Sequence, residues 1–337
     1  MNRVKYLIII IILFMFFSLG NLYLYDINLF NKQLIWYLIG FSLLLINFKR
    51  VDIKFIFLLY LILNVLLLYL LLFGDSINGS KAWLNIFGFS IQPSEFMKVV
   101  LIILLSYISV TNNKYIFKCI LITLIPSVLT FLEPDTGNVI FYLIILFSVI
   151  FKRINLFKYS YILIILIGIF LYLYYFNIDI LINVFGSDLF YRLDRFTNFN
   201  SYQLDMALIG ISNSGLNGIG EFILVPEVCT DFMFTLNIMN FGFIGLVLYL
   251  IINLVFNLLL INISNNSIGF YREVINNFLI VKLVQEGIHI GMNVGLAPIT
   301  GITLPFISYG GSSLLSLFLI ISYINSMGKD SSYIEVA

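Results

Sequence analysis

Residues 235–261 read TLNIMNFGFIGLVLYLIINLVFNLLLI, a run without a single charged side chain. A helix rising 1.5 Å per residue needs about 20 apolar residues to cross the hydrocarbon of a bilayer, so this stretch predicts a membrane-spanning helix. Its apolar side chains fall on every face, whereas a membrane β-strand would alternate over segments of about ten residues. Nine further runs of the same character lie at 6–24, 33–48, 54–74, 96–110, 115–132, 138–151, 159–176, 274–297 and 313–327, of which 96–110 and 138–151 are short for a span. The fold class that follows is an all-α polytopic integral membrane protein of about ten transmembrane helices, one domain over 1–337.

Composition agrees: 61% of residues are hydrophobic and 10% charged, with mean hydropathy +1.06. Soluble domains carry about a quarter charged residues, so no soluble domain of useful size fits beside the spans. A formal net charge of +1 gives no reason to expect a nucleic-acid partner.

Lys and Arg mark cytoplasmic loops because they resist translocation. With both termini cytoplasmic, the inner segments hold 12 of the 18 basic residues, among them Arg3, Lys49, Arg50, Lys152, Arg153 and Arg272, and the outer side carries 12 of the 17 acids. Deleting either short span would turn Lys152, Arg153 and Lys158 outward. The basic start and apolar 6–24 run read as an uncleaved first span, since no small-residue cleavage site follows before Tyr23. Cys119 and Cys229 fall at opposite membrane faces in this topology and cannot bridge each other.

Immediately before the 235–261 run, residues 177–231 hold nine of the 35 charged residues. That stretch reads as the large extracytoplasmic loop between helices 7 and 8, a cap over 177–234, with Asp231 where the chain re-enters the membrane. Arg192 and Arg195, spaced i to i+3, suit a lipid phosphate through forked guanidinium donors, and equally suit snorkelling interface anchors. The glycines of 215–220 follow no strand and lie outside, so they are no dinucleotide fingerprint.

Three other outer segments carry polar residues. Gln92-Pro93-Ser94-Glu95 opens a helix, with Pro93 in its first turn, Gln92 or Ser94 as cap, and Glu95 near the positive end of the dipole. Lys98 follows Glu95 by three residues on the same face, a pair that is costly in a bilayer unless it faces a polar cavity or locks helices together. Glu133-Pro134-Asp135-Thr136-Gly137 is an outer turn that its Pro and Gly account for on backbone grounds. Residues 300–313 break the helical pattern with Gly301, Pro305, Gly310 and Gly311 inside apolar sequence, as expected of a re-entrant segment lining a site. Glu286 and His289 share a face one span earlier, and a lone His there reads as a packed, hydrogen-bonding side chain.

In this order, Gln92-Pro93-Ser94-Glu95 with Lys98, Glu133-Pro134-Asp135-Thr136-Gly137, Tyr202-Gln203, Pro226-Glu227 with Thr230-Asp231-Phe232, and Leu304-Pro305-Phe306-Ile307-Ser308-Tyr309-Gly310-Gly311-Ser312-Ser313 resemble the SEDS family of FtsW, RodA and SpoVE proteins over residues 32–327. The resemblance implies a ten-helix fold in the bacterial cytoplasmic membrane. It implies a peptidoglycan glycosyltransferase that polymerises lipid II on the outer face beside a class B penicillin-binding protein, in division, elongation or sporulation. By motif, Asp231 is the expected catalytic base. Glu95, Lys98, Arg192, Arg195, Gln203 and Ser308 are expected at the substrate site, and a divalent cation, Mg or Mn, is a possible cofactor.

The chain departs from the family pattern where Cys229 replaces a polar residue, where Met239 and Asn240 replace acids, at Met206 and Ala207, and where His289 replaces Asn. Two other functions stay open on the residues alone. A flippase or transporter for lipid-linked sugars would depend on Glu95 and Lys98, and a non-catalytic scaffold for a transpeptidase would depend on none of these side chains.

Overall fold

Helix follows apolar run along most of the chain. The computed structural model describes residues 2–46, 52–74, 80–86, 89–111, 115–151, 202–218 and 223–327. The expected span at 159–176 and the cap residues Arg192 and Arg195 lie outside the described residues.

The described helices are α1 (Asn2–Tyr25), α2 (Ile27–Leu43), α3 (Ile53–Phe73), α4 (Pro93–Thr111), α5 (Tyr115–Leu132), α6 (Thr136–Phe151), α7 (Tyr202–Asn213), α8 (Met233–Asn265), α9 (Gly269–Asn293) and α10 (Gly311–Met327). Nine of the ten expected runs fall within or largely within these helices. Five of the helices are long and apolar enough to cross a membrane: α1 from Tyr6, α3, α4, α5 and α8. Asp26 and Asp52 start α2 and α3 by accepting the amides of Asn28 and Lys54 at 2.7 and 3.2 Å. Two short strands, β1 (Leu84–Ile86) and β2 (Phe89–Ile91), pair antiparallel just before α4, where the sequence suggested only a loop.

Burial sorts the helices into a centre and a rim. α4 packs against α3, α5, α6, α9 and α10. Its spanning window is 61% buried, against 22% for α3 and α8, so α4 is the core of the bundle. The rim presents large apolar side chains outward, such as Phe16, Val65 and Phe117. In water such a surface would be an aggregation hazard, whereas against lipid it needs no partner.

Inside the bundle, polar side chains tie helices together. Asn277 of α9 donates to Ser106 of α4 at 2.7 Å and accepts from Ser148 of α6 at 2.9 Å. Pro126 within α5 cannot donate to the carbonyl of Ile122 one turn back, and the Tyr60 hydroxyl takes that acceptor at 3.0 Å. Cys119 and Cys229 are free and buried.

The 235–261 run differs from its expectation as a single span. Gly242, at φ 64 and ψ −165, breaks α8 into a short first piece and a long second one. A β-carbon there would lie 2.2 Å from the carbonyl oxygen of Leu216, so only glycine fits. The amides freed by the break, those of Phe243 and Ile244, donate to the carbonyls of Gly215 and Leu216 at 3.2 Å each.

Candidate active site

The chain enters α8 through a tight turn wound on one carbonyl. Glu227, at φ 54, accepts the backbone amides of Thr230, Asp231 and Phe232 at 3.2, 3.0 and 3.2 Å. The turn leaves Asp231 half-buried, two residues ahead of the helix. Burial and then the neighbouring Glu227 carboxylate push the Asp231 carboxyl up to about 6, with the Thr230 hydroxyl pulling the other way. A half-buried carboxylate poised near neutrality can take a proton from an alcohol.

Residues 300–310 lie against this turn without regular structure, and the protein satisfies their backbone group by group. Ser308 Oγ donates to Thr230 O at 2.7 Å and accepts the Leu304 amide at 2.8 Å, while the Tyr309 amide reaches Cys229 O at 2.8 Å. Ser18 donates to Ile307 O at 2.7 Å, Gln33 to Ser308 O at 3.2 Å, Gln285 to Thr303 O at 2.9 Å, and Tyr37 to Phe306 O. Phe306 holds φ 65, which a bulky residue rarely adopts, and its ring is clamped among Phe14, Phe256 and Phe318. A β-carbon on Gly301, itself at φ 69, would stand 3.8 Å from Asp231 Oδ2, so the segment walls the carboxylate.

The Gln92 motif and the outer turn form a second polar knot. Asp135 Oδ2 accepts from Gln92 Nε2 at 2.7 Å, Ser94 Oγ at 2.8 Å and Asn138 Nδ2 at 2.8 Å. Gln92 and Ser94 therefore serve Asp135 instead of capping their own helix. Asp135 also accepts the Asn138 amide at 3.2 Å in the first turn of α6, as the backbone account of this turn requires. Beside it Glu133 is fully buried and neither carboxyl oxygen has a hydrogen-bond partner among the described residues; burial first and Asp135 second push it up to about 8.

One turn deeper, Lys98 Nζ sits 2.7 Å from Glu95 Oε2 and 4.8 Å from the Phe141 ring centre. Both residues line a cavity of about 20 Å³ with Lys282, Gln285, Ser313 and Ser316. One water needs roughly 10–15 Å³, so the cavity holds a water and no sugar. Lys282 is paired with Glu286 and donates to Asn253 and Asn257 at 2.6 and 2.9 Å. Asp231 does not line this cavity. The structure thus gathers Asp231 with Ser308, and Glu95 with Lys98, as two sites; Gln203 lies half-buried in the first turn of α7.

The FtsW/RodA/SpoVE family, described as cell cycle protein, matches residues 1–333. The chain belongs to this family. Among FtsW/RodA/SpoVE relatives it is 32% identical over 88% of its length, and 90% of the relative's, to the probable peptidoglycan glycosyltransferase FtsW of Buchnera aphidicola subsp. Schizaphis graminum. It is 31% identical over 89% of its length, and 86% of the relative's, to that of Coxiella burnetii. The Rod shape determining protein RodA of Thermus thermophilus shares the fold at a TM-score of 0.70 and 22% identity, covering 97% of this chain and 96% of that one. A chain from a solved peptidoglycan synthase complex aligns at a TM-score of 0.80 and 22% identity over 97% of both.

The departures from the FtsW/RodA/SpoVE pattern have structural places. Met239 is fully buried and faces Gly210 of α7, and Asn240 donates to Asn21 of α1 at 2.9 Å, so both positions serve helix packing. Cys229 contributes its carbonyl to Tyr309. Sequence reasoning missed Lys282, Gln285 and Asn293, although 282, 285, 286, 289 and 293 form one polar stripe at helical spacing on α9. That stripe was the available signal.

Proposed function

We propose that this chain is a peptidoglycan glycosyltransferase that polymerises lipid II at the outer face of the bacterial cytoplasmic membrane, with Asp231 as its general base. The observation that supports the assignment is the half-buried Asp231 carboxyl at the end of a tight turn, walled by residues 300–310, with burial raising it to about 6. In the proposed step the 4-hydroxyl of the acceptor sugar attacks the anomeric carbon of the donor. Its proton passes to Asp231, the anomeric C–O bond breaks, and polyprenyl diphosphate leaves with the bonding electrons. General-base help of this kind is worth about 10²–10⁴ in rate.

In this proposal the ten-helix topology has both termini cytoplasmic and residues 177–234 capping the site from outside. Arg192 and Arg195 meet the diphosphate, Gln203 and Ser308 border the sugars, and Glu95 with Lys98 holds the polar floor, which must open to touch substrate. Mg²⁺ is commonly held by one or two carboxylates plus substrate phosphates. Among the described residues no three His, Cys, Asp or Glu side chains form a metal group. Asp231 and Glu227 are the two carboxylates that would hold a cation, which would neutralise charge on the leaving diphosphate. The partner proposed is a class B penicillin-binding protein, supported by the match to a chain of a synthase complex that couples polymerization and crosslinking.

A second reading draws on the two buried Lys–Glu pairs at one membrane cavity, which suit a lipid-linked sugar transporter. Glycan synthesis from labelled lipid II by purified protein with its transpeptidase, comparing wild type with Asp231→Asn, separates the two. Polymer from wild type and none from the variant is the result expected. Silence from both with a well-folded pair, and lipid II transport that is lost in Lys98→Met yet survives Asp231→Asn, would establish the transporter.

A further inference from the structure

α8 begins without a cap of its own: Phe232 offers no capping side chain, and the first-turn amides of a helix have no intrahelical acceptor. α9 supplies acceptors for two of these amides, those of Phe234 and Thr235. Asn293 Oδ1 takes the Thr235 amide at 3.0 Å and the Thr235 hydroxyl at 2.8 Å, and its Nδ2 donates to the Asp231 carbonyl at 3.0 Å. One turn earlier, His289 Nε2 faces the Phe234 amide at 3.4 Å and Nδ1 lies 2.7 Å from Ile302 O.

We propose that His289 is a positioning residue that fixes the gap between the Asp231 turn and residues 301–302, an inference that rests on Asp231 being the general base. A carbonyl only accepts and an amide N–H only donates. Nδ1 must therefore carry the hydrogen and Nε2 the lone pair, which only the neutral Nδ1–H tautomer provides. With the ring fully buried, one rigid plane spans the start of α8 and the residue following Gly301, the wall of the Asp231 carboxylate. Asn293 fixes the backbone of Asp231 and His289 fixes what its side chain faces. A displacement of about 1 Å at a reacting group can cost on the order of 100-fold in rate, so a strut at this point acts on kcat.

His289 is the single histidine of the chain, so a spectrum of protein labelled with ¹⁵N-histidine and purified without a histidine tag reports this ring alone. A protonated Nδ1 with an unprotonated Nε2 is the expected result, and an imidazolium or the opposite tautomer overturns the strut. The functional arm measures lipid II polymerisation with the transpeptidase partner. His289→Asn keeps an amide donor where Nδ1 sits, His289→Gln keeps an acceptor where Nε2 sits, and His289→Leu keeps neither. At equal folded fraction the Leu variant should lose about 30–100-fold in kcat with little change in KM, while Asn and Gln, each keeping one of the two contacts, should lose less than Leu. A Leu variant as active as wild type, or equal losses in all three, overturns the proposal. If Leu does not fold, Gln takes its place, and full kcat in Gln overturns it. Polymerisation that survives Asp231→Asn removes the base assignment itself, whereas silence in Asp231→Asn beside an active Leu variant removes only the role of His289.

Discussion

The proposed base Asp231 would work only when ionised, so kcat/KM should fall as pH drops through about 6. The Glu227 carboxylate raises that value by like-charge repulsion. In Glu227→Gln the repulsion is gone and the acidic limb should move to lower pH, which a pH–rate profile of polymerisation checks; an unmoved limb would detach the limb from this carboxylate pair. Glu133 gives a second titration. Its carboxyl lies above the ordinary value in the folded protein, so the folded state binds a proton more tightly than the unfolded chain. Stability should then be full below the ordinary carboxylate range and fall as pH rises toward 8, by at most about 1.4 kcal/mol per pH unit. Thermal unfolding of Glu133→Gln across this window should show a flatter dependence than wild type. At this scale the sequence announced Asp231, Glu95 and Lys98, because a charge inside apolar sequence has few structural excuses. Glu133 looked like ordinary turn chemistry, since nothing in its neighbours' identities reveals that its oxygens are left without donors. Lys282 went unseen because an i to i+4 partner on the same helix makes a charge look self-sufficient.

The apolar runs marked the helices well, because the bilayer's thickness sets a length that any sequence must honour. What composition could not mark was the break at Gly242. The run is uninterrupted, and the break depends on the carbonyls of Gly215 and Leu216, which arrive from a distant loop. Gly242→Ala would drive a β-carbon into Leu216 at a positive φ, a penalty above about 1 kcal/mol. The variant should unfold several degrees earlier in a thermal scan, and an unchanged midpoint would mean that the kink is not needed. The β1–β2 pair escaped for a similar reason: three-residue strands carry too little alternation to register. Residues 300–310 were recognised as irregular from their Gly and Pro, but their support by Ser18, Gln33 and Tyr37 depends on helices nearly 300 positions away.

At the scale of the whole molecule, the asymmetry of basic and acidic residues predicts which loops face out. A cysteine introduced at exposed Asn213 should react with a membrane-impermeant maleimide on intact cells, and one at exposed Asn265 should react only after permeabilisation. The buried Cys119 and Cys229 leave a low background; labelling at both introduced sites, or the reverse pattern, would overturn the orientation. The family relationship was legible in the ordered motifs, whereas the separation of the Asp231 carboxyl from the water-sized cavity of Glu95 and Lys98 required the packing of α4 against α9 and α10. The break at Gly242 is held from two directions: the amides of Phe243 and Ile244 are taken by Gly215 and Leu216, and the first turn of α8 is taken by Asn293 and His289 of α9. The backbone around Asp231 is thus pinned by neighbours besides its own helix, so a substitution in either of them reaches the carboxylate without touching it.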